Sequence, residues 1–116
     1  MSERRIVWGL FLVAFLSLLL TEKYVGFGRD ESVYFWAGEQ HGRWFQLLLT
    51  SPSEALTDAA ITRHFDFNHE HPALMKNLFG ISFVVLHEKL GLLRPAAAFR
   101  LPAFAISALM LPLIYL

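Results

Sequence analysis

The chain has 116 residues, 55% of them hydrophobic, with a mean hydropathy of +0.44 and no net charge. The apolar residues come in blocks, which describes a membrane protein better than a soluble domain of this size. The neutral balance gives no electrostatic footprint for nucleic acid, and the absence of cysteine removes disulfides, thiolate zinc sites and thiol nucleophiles together.

Glu3, Arg4 and Arg5 precede an uncharged apolar run at 6–20. At 1.5 Å per residue that run reaches about 22 Å, short of the roughly 30 Å hydrocarbon core. Extending it to 25 makes it long enough to span, with Trp8 and Tyr24 as interfacial anchors. A cleavable signal peptide is the other reading of a basic start and an apolar run, but no small-x-small cleavage site follows Leu20. Arg4 and Arg5 place the N-terminus in the cytoplasm by the positive-inside rule, so residues 26–71 form an outer loop.

That loop opens on Gly26-Phe27-Gly28, which loosens the backbone, and then on Asp30-Glu31, where Asp30 takes an N-cap position. The stretch 31–49 carries Tyr34, Phe35, Trp36, Trp44 and Phe45, a composition suited to the headgroup layer. Gly38 and Gly42 count against one unbroken helix there. Ser51, Pro52 and Glu54 form a capping box that starts a second helix running to about 63, with Ala55, Leu56, Ala59 and Ala60 on one face. Two amphipathic juxtamembrane helices are therefore expected in the first outer loop.

His71-Pro72 opens a second span at about 73–93, in which Lys76 either snorkels to the headgroups or points into a polar cavity. Arg94-Pro95 breaks the chain on the inner side, and a third span runs from 100 to 116. Arg100-Leu101-Pro102 reads as the inner end of that span and no more. Residues 101–116 meet no polar residue that would end the span, so the expectation is the N-terminal part of a polytopic protein. The fold class expected is an all-α membrane protein with about three transmembrane helices.

Two ionisable clusters lie at one water–membrane boundary. Asp30 within reach of an acceptor hydroxyl can act as a general base, while Lys76, with Arg29 or His71, can neutralise a phosphate leaving group. The plainer reading of Asp30-Glu31 is a solvated helix start favoured by the dipole. His64, Asp66, His69, Glu70 and His71 are ligand types suited to zinc or a similar ion. The two-residue offset of His69 and His71 suits neither a helix nor a tight turn, which leaves a polar loop with interfacial histidines as the alternative. Glu39 and His41 suggest nothing specific.

The order of these features resembles the N-terminus of the membrane-embedded GT-C glycosyltransferases, closest to the protein O-mannosyltransferase and aminoarabinose transferase group of glycosyltransferase family 39. The residues that carry the resemblance are Arg29-Asp30-Glu31-Ser32-Val33-Tyr34 after the first span, His71-Pro72-Ala73-Leu74-Met75-Lys76, and Phe99-Arg100-Leu101-Pro102-Ala103. Ala73 departs from the second proline usual in the family's His-Pro-Pro motif. The resemblance implies inverting transfer of a sugar from a polyprenyl-phosphate donor to a protein, lipid or glycan acceptor on the outer face of a bacterial inner membrane. It implies Asp30 as the base, Glu31 as its partner in an essential pair, and His71 and Lys76 on the phosphate side. Some relatives use a divalent metal and others do not. The complete protein is then the enzyme, and this portion alone is inactive. The rival expectations are a small non-catalytic membrane subunit and a metal-binding membrane module.

Overall fold

A computed structural model describes residues 2–116, and they form an all-helical chain with no strand among them. Helix α1 covers Glu3–Thr21 and closes with a 3₁₀ turn at Glu22–Tyr24. Helix α2 (Arg29–Thr50) is followed by short α3 (Pro52–Ala55) and α4 (Asp58–Phe65). Helix α5 (Ala73–Ser82) continues as π-helical turns over Phe83–Lys89, and α6 (Pro95–Ala108) leads into α7 (Met110–Tyr115).

Two helical stretches are long and apolar enough to cross a membrane, Glu3–Tyr24 and Pro95–Tyr115. They pack against each other, α1 touching both α6 and α7. The Glu22 carboxylate at the C-terminal end of α1 meets Arg94 and Arg100 at the start of α6. The sequence had suggested opposite membrane sides for these two ends, and the ion pairs instead hold them together. The expected span at 73–93 takes a different form. Its helix ends at Lys89, and Gly91, at φ +60°, supplies the left-handed turn that closes it, with Gly91 N–H donating to His87 O and Leu92 N–H to Leu86 O. Helix α6 starts at Pro95, earlier than expected, because Pro at the first helical position costs no hydrogen bond.

Helices α2 and α5 share the most extensive interface of the molecule. They run parallel, Tyr34 beside His71, His41 beside Asn77 and Arg43 beside Glu88, with α3 and α4 bringing the chain back between them. The close approach depends on Gly38, Gly42 and Gly80. A Cβ at Gly42 would meet the Gly80 carbonyl oxygen at 2.8 Å, and one at Gly80 would collide with the Gly38 carbonyl. Thus Gly38 and Gly42, which weakened the case for a continuous helix, sit inside one; the packing they permit outweighs about 1 kcal/mol of lost propensity each. Phe35, Phe79, Phe83, Val84, Ala98 and Phe99 form the core where α2, α5 and α6 meet, with Phe35 stacked on Phe99 at 4.8 Å.

The cap assignments also shift. Gly28, not Asp30, is the N-cap of α2, and Glu31 at N3 accepts from its backbone N–H at 3.2 Å. The expected helix from Ser51 to about 63 is split, because Thr57 caps α4 by accepting from Ala60 N–H. Only Ala55 and Ala60 of the expected apolar face are buried; Leu56 and Ala59 are exposed.

Candidate functional site

The chemistry-bearing residues gather where the end of α1, the start of α2, the loop before α5 and the start of α6 meet. They separate into two groups of opposite character.

The first is a buried charge knot. Arg100, 5% exposed, donates through Nε to Glu31 Oε1 at 2.6 Å and through Nη2 to Glu31 Oε2 at 2.8 Å, a bidentate pair. Its Nη1 donates to the Val25 carbonyl at 3.0 Å and its Nη2 to that of Gly26 at 2.9 Å. Glu22, 4% exposed, is shared between Arg100 and Arg94. The Arg100 hydrogen bonds hold the Glu31 carboxyl below the usual carboxylate range, against the smaller opposing effect of burial. Every polar atom of Arg100 that reaches inward has a partner, so the knot fixes the loop 25–28 and the α2 N-terminus onto α6. An apolar cleft of about 420 Å³ runs beside it, lined by Leu18, Val25, Tyr34, Phe35, Phe79, Ala103 and Phe104, with Glu22, Glu31 and Arg100 at its polar end.

The second group is an open polar cavity of about 240 Å³ lined by Asp30, Val33, Tyr34, Asn68 and His71. Asp30 is one residue from Glu31, but the helix turns it about 100° away, toward the cavity and not toward Arg100. Tyr34 Oη lies 3.1 Å from His71 Nδ1. Asn68 adopts the left-handed conformation, φ 57°, which an asparagine tolerates. That turn presents both its carbonyl and its side-chain oxygen to the Lys76 ammonium. Lys76 is 1% exposed and sits behind Asn68, outside the cavity wall. Burial lowers its pKa, and the Glu70 charge opposes that shift.

The structure therefore brings Asp30 and His71 to one cavity and sends Glu31 into the neighbouring knot. Lys76 lies one layer beneath the wall, and Arg29 is exposed at the first residue of α2 and does not line the cavity. The histidine-rich stretch disperses. His64 contacts the Gln40 carbonyl, His69 that of Asp66, and His71 Tyr34. Among the described residues no three His, Asp or Glu side chains converge on a point that could hold a metal ion. Sequence reasoning missed Tyr34, Asn68, Glu22 and above all Arg100. The available signal for Arg100 was an arginine six residues into a helix apolar enough to span, a position where a charge demands a partner. Comparison with protein-family models, with curated proteins and with solved structures finds no match.

Proposed function

We propose that this chain is the portion of an integral membrane glycosyltransferase that holds the catalytic base and the phosphate side of a polyprenyl-phosphate sugar site. The observation that carries the reading is the cavity that joins Asp30 to His71 at the end where two candidate spans meet, beside an apolar cleft of about 420 Å³. Asp30 takes the proton of the acceptor hydroxyl. The hydroxyl oxygen forms the new bond at the anomeric carbon with inversion, and the sugar–phosphate bond breaks to release polyprenyl phosphate. His71 faces the leaving phosphate, and Lys76 raises the potential from behind Asn68. Glu31 and Arg100 position the α2 N-terminus and hence Asp30.

In this reading Glu3–Tyr24 and Pro95–Tyr115 are spans, with the intervening helices on the outer face of a bacterial inner membrane. A loop of about 70 residues exceeds the roughly 60 over which loop charges direct orientation, leaving Arg4 and Arg5 to set the N-terminus inside. The test is transfer of labelled sugar from polyprenyl-phosphate donors by membranes bearing the native protein. Asp30→Asn lowers transfer by about 10²–10⁴-fold with insertion unchanged. Full activity in that variant, or no transfer by the unaltered protein with any such donor, overturns the proposal.

A further inference from the structure

His41 lies at the centre of the α2–α5 interface, away from the cavity. It is 1% exposed, one of the two largest fully buried side chains. Its Nδ1 lies 2.7 Å from Asn77 Oδ1 of α5, and since that oxygen accepts, the ring proton is on Nδ1. Nε2 is then a bare acceptor, buried, with no partner among the described residues. The Phe65 ring of α4 covers the imidazole at 4.3 Å, and Phe65 packs in turn on Trp44, whose indole N–H donates to the Ala55 carbonyl at 2.8 Å. The charged groups that act on His41 are Lys76 of α5 and His64 of α4, both bases. A neutral His41 leaves only the Nε2 acceptor unpartnered; a protonated one buries an unpartnered N–H and a positive charge beside the Lys76 ammonium.

We propose that His41 is an acid-sensitive latch, whose protonation releases the α3–α4 segment from α2 and loosens the helical layer that carries the cavity. The direction follows from the environment. Burial, the largest effect, holds the His41 pKa below its ordinary value, and Lys76 and His64 add to this while the Asn77 hydrogen bond opposes it. A base depressed in the folded state keeps its full stability above the unfolded value of about 6.5 and loses it as the pH falls below that. The closed layer is therefore intact at neutral pH and opens in acid. Nothing in this latch depends on the transferase reading.

The experiment follows the Trp44 indole N–H by NMR in the detergent-solubilised protein, assigned with Trp44→Phe, from pH 7.5 to 4.5. The expected result is a move of the indole resonance to its solvent-exposed position on acidification, coincident with titration of the His41 ring nitrogens. His41→Gln keeps a donor for Asn77 and removes the titration, so its indole resonance stays fixed over the range; His64→Gln keeps the transition. An immobile indole signal in the unaltered protein, or an unchanged transition in His41→Gln, overturns the proposal. Should His41→Gln fail to fold, the unaltered protein still decides: an indole transition that does not coincide with the His41 ring titration also overturns it.

Discussion

The charge knot and the open cavity are built from adjacent residues of the same helix and behave oppositely. In the knot, Glu31, Glu22 and Arg100 satisfy one another and three backbone carbonyls, with Glu22 and Arg100 buried. In the cavity, Asp30 is exposed, while Tyr34 is held to His71 and Asn68 to Lys76. A fully partnered cluster is architecture; a carboxylate left free beside a histidine and an asparagine is available for chemistry. Residue type does not separate the two, since both contain a carboxylate at the α2 N-terminus.

The hardest way to break this comparison is Arg100→Met. It leaves Glu22 and Glu31 facing a poorly solvated pocket and costs about 3–5 kcal/mol, measured by chemical unfolding in micelles. Asp30→Asn should leave that same unfolding curve within about 0.5 kcal/mol, because its side chain is exposed. If the two variants destabilise equally, the division into knot and cavity is wrong. Gly80→Ala tests the platform beneath both. Its methyl meets Gly38 backbone, which cannot rotate aside, and overpacking of this kind costs about 1–3 kcal/mol or more. The α2–α5 interface should separate in proximity cross-linking while the α1–α6 contact survives. Tyr34→Phe removes one partly exposed hydrogen bond to His71, a loss of about 0.5–1.5 kcal/mol. A loss of that size in the unfolding curve, with the α2–α5 cross-links unchanged, is the expected outcome.

The smallest effect sharpens the contrast through pH. The Glu31 carboxyl is held below its ordinary value mainly by the Arg100 hydrogen bonds. A depressed acid contributes stability that is present above the unfolded value of about 4.3 and is lost as pH falls through the folded one. Unfolding midpoints of the unaltered protein should therefore fall on acidification below about pH 4, and Glu31→Gln should flatten that limb. An identical acid limb in both proteins would show that the pair with Arg100 contributes no linkage.

Parts of this arrangement were readable from residue order. The run 6–20 is apolar all round, and the structure leaves α1 with no buried residue, so its surface belongs to lipid or to other helices. Asp30 and His71 were singled out by charge and position, and they do share a cavity. The helix inside the expected span at 73–93 stops at Lys89 and buries one face against α2. Apolar content alone does not distinguish a helix facing lipid from one buried against protein, and Gly80, which looks like a weak point in a span, is the contact point with Gly38 and Gly42. That Glu31 turns from the cavity was not readable from residue order, because its partner, Arg100, lies 69 positions away in the chain.

The sequence by itself determined helix and apolarity, because those depend on neighbours within a turn or two: the blocks that became α1 and α6. Only the tertiary structure decided which charges are partnered and which are free. Partnership depends on distances between residues remote in the chain, and in a medium of low polarity an ion pair made or missed outweighs any local preference. That is why Arg100, read as the end of a span, fixes the site, and why His41, read as unremarkable, lies at the centre of the helical layer beside it.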